Sequence, residues 1–254
     1  GNNRVGVSMQ YVGREPRFYA SVAYNGSTWY LLNEPNDANK DKQIFYYRGG
    51  GNGYTNTMFW LRTGIGVMKF VHPDDTNRDE KEEYIRKKAE PAIRYAEILL
   101  IYAEALNELT GNYNIASWDE ETQYTIQRNI DEMKKGIQPI RIRAGIPDYT
   151  RSEYEDQDLF REKLKRERQI ELMGEGHRYY DIRRWKDAEV EESLPIYGCN
   201  TLMTEKWRDV FHVPVAIPSL PTNFSRKMYF WPISHSELKR NKMLTQNPGW
   251  TYND

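Results

Sequence analysis

Cysteine is almost missing from this 254-residue chain: Cys199 stands alone, so no intramolecular disulfide can staple the fold. Histidine is scarce too. His72, His177, His212 and His235 lie far apart, and no pair has the spacing of a structural zinc site. No run of roughly 18 apolar residues occurs, so the sequence offers no membrane-spanning helix. The first residues, "GNNRVGVSMQYVGREPRF", lack the apolar stretch of a signal peptide, which points to a cytosolic protein or to a mature or truncated form. Net charge is lacking as well. Thirty-six basic residues face 37 acidic ones, which excludes a general electrostatic nucleic-acid binder. The glycine-rich run "GGGNG" (49–53) reads as a very flexible segment. No Lys-Ser/Thr follows it and no helix pattern opens there, so it is not a phosphate loop. No serine or cysteine stands in a nucleophile elbow.

What the chain has in quantity is aromatic: 19 tyrosines and seven tryptophans. Such rings suit surfaces that are apolar on one side and wet on the other. Residues 1–75 read as strands and loops, with strands expected at 17–25, 27–32, 43–48 and 65–71 and a polar turn at 33–41. Residues 76–188 read as helical. One helix is expected over 90–111, from Glu90-Pro91 to a Gly111 cap. A second is expected over 117–136, with Ser117 and Glu120 as a capping box and Gly136 as its stop. A third spans 156–173, and a shorter fourth spans 177–188. Residues 189–254 read as a long ordered loop, a strand at 228–233 and a helix at 234–241 capped by Ser234 and Glu237. The stretch "YAEILLIYAEALNELTGNYNIAS" is like one tetratricopeptide unit, and one copy cannot build a solenoid.

Two candidate sites emerge. In "RQIELMGEGHRYYDIRRWKD" (169–188) and just before it, Arg168, Glu171, Glu175, Arg178, Asp181 and Arg184 recur at helical spacing with alternating sign. An acid/base pair needs two carboxyls with separated pKa values. Here each acid has an arginine within a turn, which predicts a scaffold whose members pair with one another. His177, after a Gly-Glu-Gly turn, reads as a cap or packing residue. The second candidate is the aromatic N-terminal region: Trp29, Tyr30, Tyr46, Tyr47, Tyr54 and Trp60, with Arg48, Asn52 and the nearby Asn25, Asn33 and Asn56. Flat rings stack on the apolar faces of sugars while amides and guanidinium bond hydroxyls. The alternative is that many of these rings fill a core.

"REPRFYASVAYNG" (14–26), "AIRYAEILLIYAEALNE" (92–108), "RAGIP" (143–147), "ERQIELMGEGHRYYDIRRW" (167–185) and "FWPISHSELKRNKMLTQNPGW" (230–250) occur in this order. Together they resemble the SusD/RagB family of outer-membrane nutrient-binding lipoproteins. The resemblance implies a mainly α fold, with tetratricopeptide-like helix pairs packed on an irregular, loop-rich region with a few short strands. It implies one SusD-like region over 1–254, matching the C-terminal half of longer family members and therefore a piece of a longer protein. A repeat-packing face left bare would then be a large apolar patch. It implies a cell-surface protein held at the outer membrane by a lipid anchor outside this chain; Cys199 is too far inside to carry it. It implies glycan capture for a SusC-like TonB-dependent transporter, with no catalysis, no nucleic acid and no catalytic cofactor, although calcium binds some members. Peptide capture for a RagA-like importer and a pure transporter-docking scaffold are the alternatives. The family's aromatic arc maps best onto Trp29 and Trp60, with Tyr30, Tyr46, Tyr47 and Tyr54 beside them.

Overall fold

The computed structural model describes residues 8–28, 43–56, 58, 60–72, 75–78, 82–89, 91–204, 210–218 and 223–252. In chain order the elements are α1 (Pro16–Ser21), β1 (Val22–Tyr24), β2 (Ile65–Val67), β3 (Thr76–Arg78), β4 (Glu82–Tyr84), α2 (Tyr95–Asn107), β5 (Tyr113–Ala116) and β6 (Gln123–Ile126). Then follow α3 (Ile130–Arg143), α4 (Arg151–Glu155), α5 (Gln157–Glu171), α6 (His177–Arg184), α7 (Ala188–Glu191), β7 (Tyr197–Gly198), β8 (Val215–Ala216) and α8 (His235–Arg240). Each pair β1–β2, β3–β4, β5–β6 and β7–β8 is a separate two-stranded antiparallel ladder. The architecture is the expected one: mostly helical, with a few short strands.

The helical core is built by α2, α3, α4 and α5. Leu100, Ala103 and Leu106 of α2 meet Met133, Ile137 and Ile140 of α3, and Tyr154, Phe160 and Leu164 close the layer. Burying a Leu, Ile, Met or Phe contributes roughly 1.5–3 kcal/mol each, so this cluster dominates the stability of the helical part. Asn107, fully buried, ties the end of α2 to the start of α5. Its amide donates to the Gln157 carbonyl at 3.1 Å and its oxygen accepts from Arg128 at 3.0 Å. The outer side of α2 carries exposed Tyr95, Ile98 and Ile101, an apolar face of the kind a helical repeat uses for packing.

Several expected boundaries move. The helix expected over 117–136 is instead a hairpin, β5–β6, followed by α3. Ser117 and Glu120 belong to the hairpin turn: the Ser117 amide donates to the Thr122 carbonyl at 2.7 Å and Glu120 sits at φ 61°. Polar turn residues serve a hairpin as well as a helix cap, and the β-branched and aromatic residues on either side decide for strands. Gly136, expected as a stop, lies inside α3, where α3 crosses α2. Gly111 is not the cap of α2, which ends at Asn107. The strand expected over 17–25 is α1 running into β1, because Pro16 opens a helical turn. Residues 44–46 form no ladder, 226–229 form a 3₁₀ turn in place of a strand, and 27–32 lies mostly outside the described residues. Ser234 does cap α8 in position, without a side-chain hydrogen bond.

At Gly136, an added Cβ would stand 2.6 Å from the Leu99 carbonyl oxygen and 2.8 Å from the Ala103 Cβ. Glycine mid-helix ordinarily costs about 0.5–1 kcal/mol relative to alanine, so its presence here reflects the close approach of two backbones. Gly136→Ala is therefore expected to destabilise by about 1–3 kcal/mol, against the helix-propensity trend. Thermal denaturation followed by circular dichroism checks it; an unchanged or raised Tm contradicts the close-packing reading.

Candidate functional site

The charged stretch resolves into a buried clamp. Arg168 donates to Asp181 at 3.0 Å, and Asp181 also receives Arg184. These three pair with one another as the helical spacing suggests. The glutamates do not: their cations come from distant parts of the chain. Glu171 accepts from Arg17 at 3.1 Å, Arg94 at 3.0 Å and Arg143 at 2.5 Å. Glu175 accepts from Arg94 at 2.7 Å and from Lys69. Glu167 takes Arg17 at 2.6 Å and Arg141 at 2.8 Å. Arg178 pairs outward with Glu191, and Arg184 reaches Glu104. His177 Nδ1 lies 3.5 Å from a Glu97 carboxylate oxygen at the first turn of α6.

A cleft of about 190 Å³ opens among Arg17, Lys69, Arg94, Arg143 and Glu171. It is shaped like a small site, yet its chemistry is saturated. Burial alone would raise the Glu171 carboxyl, but hydrogen bonds from Arg143, Arg94 and Arg17 overcome this and hold it below the usual carboxylate range. Burial likewise opposes ionisation of Glu175, and Arg94 and Lys69 reverse the sign. Both acids are pushed the same way, so neither is poised to donate a proton while the other accepts one. The clamp is a scaffold.

The aromatic candidate is a loop running from Arg48 to Thr63. Its ends are fastened to one distant segment. The Arg48 amide donates to the Met203 carbonyl at 2.7 Å, and the Cys199 amide donates to the Thr63 carbonyl at 2.9 Å. Gly64, at φ +68°, packs on Cys199, Thr201 and Phe211. Burial pushes the Cys199 thiol above its ordinary value, as suits a packing residue. The glycine run, expected as a flexible segment, forms a hydrogen-bonded turn. The Gly50 amide donates to the Tyr47 carbonyl at 2.9 Å and the Asn52 amide to the Phe45 carbonyl at 3.1 Å.

This turn delivers Tyr54 to Trp60. Their rings meet edge to face at 5.4 Å. Arg48 lies over the Tyr54 ring at 5.4 Å and Arg62 over the Trp60 ring at 5.9 Å, both in cation–π range. Both rings are partly buried, and Arg48, Asn52 and Asn56 are exposed on the same loop. The arrangement offers ring surface, guanidinium donors and amides on one fixed loop.

Of the residues the sequence nominated, Tyr54, Trp60 and Arg48 come together here, and Asn52 is exposed on the same loop. Tyr46 and Tyr47 do not. They are 8% and 5% exposed and pack with Ala23, Ile44, Met68 and Phe211, so they support the loop from beneath. Their position directly before the turn places them on the inner side of the chain. Asn25 is also internal; its side-chain oxygen accepts the Tyr46 amide at 2.9 Å. Trp29, Tyr30 and Asn33 lie outside the described residues. Sequence reasoning missed Arg62, although its place two residues after Trp60 was a usable signal. It also missed the 199–204 anchor, for which no local signal exists. Among the described residues, no group of three or more His, Cys, Asp or Glu side chains is placed to hold a metal ion.

Comparison with known proteins adds the context. A family model described as "SusD family" matches residues 1–250. The chain is 31% identical over 162 residues to SusD-like protein P2 of Formosa agariphila, covering 62% of this chain. The solved structure of selenomethionine BT4246 superposes with a TM-score of 0.81 over 98% of this chain at 24% identity, and a second structure of BT4246 with 0.79 over 98% at 25%. The chain spans 25% of the curated relative and 40% and 38% of the two solved ones.

Glu171→Ala leaves Arg17, Arg94 and Arg143 without their shared anion, and is expected to cost about 3 kcal/mol in denaturant unfolding. Because the folded pKa of Glu171 is depressed, its contribution is present above the ordinary value of 4.5 and is lost as pH falls through the depressed one. Glu171→Gln should therefore flatten the acid side of the Tm–pH curve; a curve parallel to wild type rules the clamp out as the cause. At Gly53, an added Cβ would stand 2.0 Å from the Tyr47 carbonyl oxygen, whereas Gly51 has nothing within 4 Å. Gly53→Ala is expected to lower the calorimetric Tm by an amount equivalent to about 1–3 kcal/mol, and Gly51→Ala to leave it unchanged.

Proposed function

The chain belongs to the SusD family, and from that premise we propose that it forms the glycan-contacting part of a cell-surface nutrient-binding protein. It captures oligo- or polysaccharide for import through a SusC-like TonB-dependent transporter. It binds without cleaving and uses no catalytic cofactor. Membrane attachment in this reading is through a lipid anchor; no helix among the described residues is long and apolar enough to cross a membrane.

The observation that carries the reading is the Tyr54–Trp60 ring pair on a doubly anchored loop. A sugar presents an apolar face to a ring and hydroxyls around its rim, and the loop offers rings in the middle and Arg48, Asn52 and Asn56 at the edge. Preorganisation matters because immobilising a side chain on binding costs about 0.5–1.5 kcal/mol each, and here the turn is already closed. The saturated acids of the Glu167–Glu171–Glu175 clamp support binding over hydrolysis.

Affinity gel electrophoresis against a polysaccharide panel tests the proposal. Trp60→Ala and Tyr54→Ala are each expected to weaken retardation about tenfold or more while the melting curve keeps its shape. Unchanged retardation in both variants places recognition elsewhere. Retention on immobilised peptides, without any on polysaccharides, overturns the glycan reading in favour of peptide capture. Release of reducing ends overturns the non-catalytic one.

A further inference from the structure

We infer that the Tyr54–Trp60 loop selects anionic saccharides, reading their carboxylate or sulfate groups with Arg48 and Arg62. This rests on the loop being the glycan-contacting surface and narrows its ligand class.

The first observation is in the sequence. From Lys42 to Pro73 there is no aspartate or glutamate, in a chain where acids and bases are otherwise balanced at 37 and 36. The same window holds Arg48 and Arg62. This stretch of chain is itself positively charged, which the balanced net charge of the whole chain conceals.

The second is in the geometry. Around the clamp, Arg17, Arg94, Arg141 and Arg143 are committed to carboxylates. Among the described residues, Arg48 and Arg62 have no carboxylate partner. Each lies over one of the two rings, so guanidinium, ring, ring and guanidinium are linked by contacts of 5.4, 5.4 and 5.9 Å. A saccharide that touches either ring has a cation beside it. The cation–π contacts keep each guanidinium beside its ring, and a planar guanidinium fork matches two oxygens of a carboxylate or a sulfate ester in parallel. A neutral glycan can accept hydrogen bonds from the guanidiniums through its hydroxyls, but these are weaker than the charge-assisted pair an anionic group makes with the same fork.

The test is titration of the protein with a polyuronate, a sulfated galactan and a neutral glucan. Binding of either anionic polymer at least tenfold tighter than the glucan is expected, and which one binds names the group that is read. That binding should weaken between about 0.1 M and about 1 M salt, as the Debye length falls from about 10 Å to about 3 Å. Arg48→Gln and Arg62→Gln should each weaken it about tenfold with the melting curve unchanged, and the lysine variants should restore part of the loss. Equal, salt-insensitive binding of the neutral glucan, lost in Trp60→Ala but kept in both glutamine variants, overturns the charge selectivity and leaves the glycan reading standing. No binding of any polymer, with Trp60→Ala silent, overturns both.

Discussion

Glu171 ends α5 almost fully buried, with guanidinium groups of three separate segments hydrogen-bonded to its carboxylate. Taking one carboxylate out of water costs several kcal/mol, and a single cation seldom recovers it. Here Arg17 comes from α1, Arg94 from the residue before α2, and Arg143 from the last turn of α3. Lys69 completes the join. It follows β2 and donates to the carbonyls of Glu171 and Met173 at the end of α5, where a cation also meets the negative end of the helix dipole. The apolar helical core is closed on its own. This set of charges joins the loop-bearing part to it, beside the close approach of Phe70 and Val67 to Gly174.

That attachment positions the binding loop. α1 runs directly into β1, and β1 pairs with β2, with Val22 opposite Val67 and Tyr24 opposite Ile65. Between the two strands the chain makes its excursion through residues 25–64, which includes the Tyr54–Trp60 pair. Arg17 and Lys69 therefore pin the chain on either side of the excursion to the same end of α5. The segment 199–204 fastens the loop from the other side. Recognition surface and scaffold charge are separate in composition: acid-free and aromatic in one, densely paired in the other.

Much of this was legible. The helices expected over 90–111, 156–173 and 177–188 are found with shorter bounds, at 95–107, 157–171 and 177–184, and the aromatic loop stands out by composition alone. The misreadings share a cause. Ser117-Trp118-Asp119-Glu120 satisfies both a helix cap and a hairpin turn, and only the pairing of β5 with β6 distinguishes them. Gly136 looks like a stop until α2 lies against it, when its missing Cβ becomes the reason two backbones can touch. Tyr46 and Tyr47 looked like ligand rings because nothing local says that Phe211 will pack beside them.

The fold class came through the resemblance that the ordered motifs carry; the sequence by itself determined the helical periodicity, the alternation of charge along 168–184 and the presence of an aromatic, acid-free window. These are properties of spacing and composition along a chain. Only the tertiary structure decided which cation each glutamate receives, which rings are buried and which meet, and that Arg62 stands over Trp60. Those outcomes depend on segments separated by tens to more than a hundred residues being brought within about 3 Å hydrogen-bonding reach. Which distant segments meet was settled by the joint packing of the cores, and the same packing turned a stretch with the look of an active site into the joint that holds the binding loop in place.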